Sequence, residues 1–300
     1  MSNSFIDLNL HKKEDLRRIL DSAIAIKKNP ERYKNSLTGK QLAMIFEKPS
    51  TRTRVSFEVG VNQLGGNVIV LHNNNMQLSR GESVYDTAKV LSRYVDTIAI
   101  RCYQHSFLEE LDKYSEVPVI NGLTDYSHPC QIMADIMTYE EKKGSIENGT
   151  VLWVGDCNNV LTSWIHAAAI LGFKLRVSSP KEAILDYQPL IWAKKQNSDV
   201  LWYEDPKEAA PGTDLIVTDS WVSMGNENNA NYAMFSSYQV NKELLSLAKN
   251  DFIFLHCLPA YRGKEVTAEV IDGPNSFILD EAENRLHVQK AIMLWCLKLL

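Results

Sequence analysis

Leu42-Ala43-Met44-Ile45-Phe46-Glu47-Lys48-Pro49-Ser50-Thr51-Arg52-Thr53-Arg54-Val55-Ser56-Phe57-Glu58-Val59-Gly60-Val61-Asn62-Gln63-Leu64-Gly65-Gly66 contains, in one run, the signals for a strand, a turn and a helix. Its apolar start, residues 42–46, reads as a buried strand that stops before Pro49. Val55, Phe57, Val59, Val61 and Leu64 then recur about a helical turn apart, and Gly65-Gly66 ends the pattern. Ser50, Thr51, Arg52 and Thr53 therefore sit where a strand hands over to a helix. The first amides of a helix lack internal partners, and its dipole puts partial positive charge there. Three hydroxyls and the guanidiniums of Arg52 and Arg54 add donors, a set that fits phosphate or another dense anion. A capped helix with solvated arginines has the same local sequence.

The alternation repeats outward from this stretch. Apolar runs at 42–47, 67–71, 97–102, 117–121, 151–155, 174–177, 200–203, 215–219 and 252–256 read as strands, mostly apolar throughout, as strands covered on both faces are. Helix-like patterns lie between them at 14–28, 83–94, 129–142, 159–171, 181–195 and 242–247. This predicts an α/β protein with mostly parallel sheets flanked by helices. A chain of 300 residues exceeds most single cores, so two domains are expected. The charged turn at 140–144 divides them into 1–142 and 145–282, and the amphipathic segment 283–300 is expected to pack back on the first domain.

Composition narrows the classes. A net charge of −5 argues against general nucleic-acid binding. No apolar run approaches the about 20 residues that span a bilayer, and residues 1–5 lack the charged and apolar regions of a signal peptide. The five cysteines form no CxxC pair, which disfavours a zinc site or a disulfide framework and suits a cytoplasmic chain with reduced thiols. Neither G-x-G-x-x-G nor a P-loop is present, so no nucleotide cofactor is expected.

In such folds ligands collect at the carboxyl ends of strands, and chemically able residues fall there. Arg101 closes the run 97–100 and is either a site cation or a snorkelling surface residue. His128-Pro129-Cys130-Gln131 opens a helix; His128 and Gln131 are donors suited to a carbonyl oxygen, or plain capping residues. Asp156-Cys157-Asn158-Asn159 follows the run 151–154 and suits a small polar ligand. Asp219, at another strand end, is a natural partner for an amine, with Ser223 placed to fix the other end of the same ligand. Cys257 in His256-Cys257-Leu258-Pro259 is either buried apolar filling or a tuned polar group. Arg285 is an anion ligand or a solvated charge.

In this order, and together with Gln77 in Met76-Gln77-Leu78-Ser79-Arg80-Gly81-Glu82-Ser83, these segments cover nearly the whole chain and resemble the transcarbamylases, the aspartate/ornithine carbamoyltransferase superfamily. The resemblance implies two α/β domains with the active site in the interdomain cleft, and a homotrimer in which Gln77 reaches a neighbouring subunit's site. It implies that Ser50, Thr51, Arg52, Thr53 and Arg101 hold the phosphate of carbamoyl phosphate, and that His128, Gln131, Cys257, Leu258 and Arg285 surround its carbamoyl group. Asn159, Asp219, Ser223 and Met224 resemble contacts to L-ornithine. The Asp-x-x-x-Ser-Met-Gly loop at 219–225 is the discriminating piece, since members acting on aspartate or putrescine carry different loops there. After Pro259 comes Ala260-Tyr261-Arg262, whereas some members place an arginine directly after the proline, which leaves a ligand role for Arg262 open.

The reaction so implied is attack of ornithine's δ-amine on carbamoyl phosphate, giving citrulline and phosphate, in arginine biosynthesis. Arg101, His128 and Cys257 are the expected catalytic residues, and the chemistry needs no metal or organic cofactor. Other transcarbamylase substrates, putrescine or an acylated ornithine, and a non-catalytic two-domain anion-binding protein are the competing readings.

Overall fold

A computed structural model of the chain describes residues 3–48, 50–72, 76–221 and 232–300. The chain divides into two compact units, residues 1–137 with 283–300, and residues 138–282. It leaves the first unit within the helix Pro129–Lys143 and returns to it within the helix Ile278–Cys296. Among the described residues no helix is long and apolar enough to cross a membrane.

The first unit is built on four parallel strands, β1 (Gln41–Phe46), β2 (Asn67–His72), β3 (Thr97–Arg101) and β4 (Val119–Leu123), in the order β2-β1-β3-β4. The central strands β1 and β3 are buried almost throughout, whereas the edge strand β2 is largely half-exposed. The chain runs outward from β1 to β2 on one side and from β3 to β4 on the other. The topological switch point therefore lies between the carboxyl ends of β1 and β3, where the register pairs Phe46 with Arg101. The fourth strand forms two residues later than the expected 117–121. Pro118 has no N–H to give a ladder and supplies only its carbonyl, to the Ile98 amide.

The second unit carries five parallel strands, β5 (Thr150–Val154), β6 (Lys174–Ser178), β7 (Val200–Tyr203), β8 (Leu215–Val217) and β9 (Ile253–Leu255), ordered β7-β6-β5-β8-β9. Its switch point lies between β5 and β8. The single expected helix 181–195 is two, Lys181–Ile184 and Gln188–Lys195, with Pro189 starting the second.

The helix Thr51–Gln63 follows β1. Phe57, Val61 and Leu64 lie on one face and are buried, but Val55 and Val59, expected in the same stripe, are 51% and 36% exposed. At 100° per residue they sit about 200° round from that face, so the apolar spacing of this helix serves two surfaces. Gly60 lets the helix approach Ile278–Cys296 closely: a Cβ there would stand 3.4 Å from both Leu286 and Lys290 side chains.

Candidate active site

The residues at the first switch point form a buried cationic cradle. Ser50 caps the helix Thr51–Gln63, its hydroxyl accepting from the Thr53 amide at 3.2 Å. Thr53 points the other way, into the unit, and its hydroxyl oxygen accepts from two guanidiniums: Arg101 Nη1 at 3.2 Å and Arg285 Nη2 at 2.6 Å. All three residues are buried. Arg101 is the last residue of β3, where the register with β4 shifts between Ile100 and Arg101, and Arg285 lies on the helix packed against Gly60. Two cations converging on one hydroxyl would repel each other in a dry site, so their placement favours a shared anion.

His128 immediately precedes the helix Pro129–Lys143 and is buried beside the same cations. Burial first, then the charges of Arg285, Arg101 and Arg52, hold its pKa well below the ordinary 6.5. The ring is therefore neutral at neutral pH and acts as a hydrogen-bond donor without adding charge. Gln131, one turn on, donates from its amide nitrogen to Asp135 at 2.8 Å, which commits one of its two amide hydrogens to the fold. Lys48 joins the cluster without having been singled out in the sequence. Its ammonium lies 4.1 Å from the centre of the Tyr103 ring, and burial and the charge of Arg101 lower its pKa. Its place just before Pro49 was the available signal. Gly122 on β4 is a second such residue: a Cβ there would meet the Ile100 carbonyl at 3.0 Å and the Thr53 methyl at 3.5 Å.

The second unit gathers a different set at its own switch point. Asn158 caps the helix Asn159–Leu171, its side-chain oxygen accepting from the amides of Val160 and Leu161. Its side-chain nitrogen donates to Asp219 Oδ2 at 2.9 Å, and Cys257 Sγ donates to Asp219 Oδ1 at 3.3 Å. The Asp219 carboxylate, just beyond β8, is thus fixed from both sides and remains half-buried. Asn159, the expected contact, opens the helix, while its neighbour Asn158 does the holding. Asp156 lies next to this group; burial, and secondarily the charge of Asp219, raise its carboxyl to about 6. Asp219, His256 and Cys257 bring ligand atoms within 4.8 Å of one another, but both ring nitrogens of His256 already make hydrogen bonds within the unit, to Leu258 N–H and to Glu265.

The other expected residues are placed as follows. Thr51 is exposed and Arg52 half-buried at the helix start, Gln77 opens a short helical turn and is exposed, and Leu258 is half-buried with a left-handed backbone, φ 58°. Ser223 and Met224 lie outside the described residues. Arg262 forms a two-pronged ion pair with Asp272 on the surface, at 2.9 and 2.6 Å. The thiols of Cys102, Cys130 and Cys157 are pushed up to about 12 by burial, and burial raises that of Cys296 well above its ordinary value, so none of these four is a nucleophile at neutral pH.

Residues 3–141 match the family model described as the carbamoyl-P binding domain of aspartate/ornithine carbamoyltransferase, and residues 147–296 match its Asp/Orn binding domain. Ornithine carbamoyltransferase of Nitrobacter winogradskyi is 54% identical over 98% of this chain and 96% of its own length. That of Rhodopseudomonas palustris is 52% identical over 99% and 98%. The structure of ornithine carbamoyltransferase from Pyrococcus furiosus superposes with a TM-score of 0.92 at 46% identity, covering 98% of this chain and 97% of that one. The anabolic enzyme of Campylobacter jejuni gives 0.93 at 39%, covering 99% of both chains. With two successive domain models and full-length relatives agreeing on a fold that places its cations and its carboxylate at two switch points, the chain belongs to the aspartate/ornithine carbamoyltransferase family.

Proposed function

We propose that this chain transfers the carbamoyl group of carbamoyl phosphate to the δ-amine of L-ornithine, yielding L-citrulline and phosphate. The observation that carries the reading is the buried Thr53 hydroxyl held between Arg101 and Arg285 at a helix start. It is an anion site completed by a neutral donor, His128. The names of the relatives add ornithine as the second substrate.

In this reading Ser50, Thr51, Arg52, Thr53 and Arg101 hold the phosphate, and Gln131, Cys257, Leu258 and Arg285 surround the carbamoyl group. Thr53, Arg101 and His128 face the carbonyl oxygen, where negative charge builds as the amine attacks. The new C–N bond forms, the C–O bond to phosphate breaks, and the departing phosphate takes the proton that the amine loses. Removing one preorganised donor from such an oxygen typically costs about 2.7–4 kcal/mol. A free alkylamine is protonated at neutral pH. Asp219, steadied by Asn158 and Cys257, orients the amino acid with Asn159, Ser223 and Met224 so that the amine attacks in its neutral form.

The working unit is a homotrimer in the cytoplasm, with the exposed Gln77 completing a neighbouring subunit's site. Val55 and Val59, exposed a turn apart on the helix Thr51–Gln63, support an apolar contact between subunits. The reaction serves arginine biosynthesis, because its equilibrium favours citrulline. Two-substrate kinetics test the assignment. Arg52→Ala is expected to raise the KM for carbamoyl phosphate far more than that for ornithine, and Asp219→Asn the reverse. Equal effects of either substitution on both constants contradict it.

A further inference from the structure

The turn that carries Cys257 and Leu258 is held by a buried pair that no role yet accounts for. His256 and Glu265 are both buried, at 1% exposure each. His256 Nδ1 accepts from the Leu258 amide at 2.9 Å, so the ring's hydrogen is on Nε2, which faces Glu265 Oε1 at 3.3 Å. The Tyr261 amide donates to the same Glu265 oxygen, and the His256 amide donates to Glu281 at 2.9 Å. Leu258 itself has φ 58°, a left-handed backbone conformation that the Cβ of any L-residue disfavours and that persists only where its surroundings impose it. The hydrogen bond from its amide to the His256 ring is one contact that holds it there.

We propose that Glu265 is a positioning residue of the transfer reaction: acting through His256, it holds the Cys257–Leu258 turn in the shape that sets the thiol against Asp219 and aims the turn at the carbamoyl group. This rests on the function proposed above. Glu265 touches no substrate. Its carboxylate accepts two hydrogen bonds on one oxygen, from the ring of His256, which directly follows β9, and from the Tyr261 amide in the loop after the turn. It thereby ties both limbs of the turn together. A burial this deep is costly for a carboxylate unless those bonds are made, which is why the pair has two consequences at once, order in the turn and dependence of the turn on one charge.

The test is Glu265→Ala and Glu265→Gln in the full-length protein, read by kinetics and by site-resolved thiol alkylation with iodoacetamide. Misplacing reacting groups by about an ångström can cost about a hundredfold in rate. Glu265→Ala is expected to lower kcat by about tenfold to a hundredfold while the KM for carbamoyl phosphate stays within about twofold. Glu265→Gln, which keeps an oxygen able to accept both bonds, is expected to lose less than about tenfold. In both variants Cys257 should alkylate faster than in the parent, while buried Cys102, Cys130 and Cys296 do not change. Unchanged kcat together with unchanged Cys257 alkylation overturns the proposal. So does a rise at all the cysteines together, which is the mark of a merely destabilised fold. If Glu265→Ala does not fold, the Glu265→Gln pair of readings decides alone. If the parent makes no citrulline, the reading of function fails, and the alkylation rates still report whether Glu265 orders the turn.

Discussion

Thr53 shows how much one hydroxyl can organise. Its oxygen takes hydrogen bonds from Arg101 and Arg285, which come from a strand end and from a helix more than two hundred residues later in the chain. Thr53→Val keeps the shape and removes the acceptor, leaving two buried guanidiniums without it. Its kcat/KM for carbamoyl phosphate is expected to fall by about a hundredfold or more, measured by initial rates at saturating ornithine; a fall below about threefold contradicts the placement. His128 makes a pH-dependent prediction. Its folded pKa lies below the unfolded value near 6.5, so below that pH the unfolded chain binds the extra proton and stability falls as pH falls. Thermal melts of His128→Gln between pH 5 and 6.5 (about the window in which an ordinary histidine titrates) should therefore lose less stability than the parent. At pH 8 the two should share no such difference in slope. At this scale the candidate residues are legible from strand ends: Arg101 and Asp219 stand at the ends of apolar runs, and His128 follows one after a short loop, just before a helix. Asn158 is legible only as part of the Asp156–Asn159 segment, and Lys48 and Glu265 are not legible in the same way. What sets them apart is what they touch, and a single lysine or glutamate in a loop has no pattern of its own.

Among the elements, strands were the most readable. Each of the nine expected apolar runs overlaps a parallel strand; the central strands β1, β3, β5 and β8 are buried almost throughout, which is why they are apolar without alternation. Register was not readable. The shift between Ile100 and Arg101 depends on how β4 meets β3, and that is set by packing. Gly122 sits at this irregularity, where a Cβ would stand 3.0 Å from the Ile100 carbonyl and 3.5 Å from the Thr53 methyl. In Gly122→Ala the tight contact is with the Ile100 carbonyl, next to Arg101, which has to give way slightly. A loss of about 1–3 kcal/mol of stability is expected, as for other overpacked sites, together with weaker carbamoyl phosphate binding. Chemical denaturation with and without carbamoyl phosphate measures both, and an unaltered midpoint contradicts the close approach. The helix Thr51–Gln63 shows the limit of periodicity as evidence. Its valines form one stripe by spacing, and the three-dimensional helix sorts them onto two faces, one buried and one exposed.

For the whole molecule, two parallel-sheet units follow from the alternation of strand and helix patterns, and the switch point of each follows from its strand order. Chain order alone does not give that order; it emerges once the sheets are formed. The proposed homotrimer makes its own prediction. Because Gln77 is proposed to serve a neighbour's site, mixing Gln77→Ala with Arg52→Ala chains, each assayed at a carbamoyl phosphate concentration where it is slow, should after dissociation and reassembly give more activity than either alone, as some sites then take both intact residues. No recovery in assemblies of about three times the 34.0 kDa chain mass would count against sharing. The central claim is the transfer itself, and the most direct test is product formation by the purified chain supplied with carbamoyl phosphate and, in turn, L-ornithine, putrescine and N-acetylornithine. The expected result is citrulline from ornithine, with the other two amines carbamoylated far more slowly. Faster carbamoylation of putrescine or N-acetylornithine, or no carbamoylated product from any of the three, contradicts it.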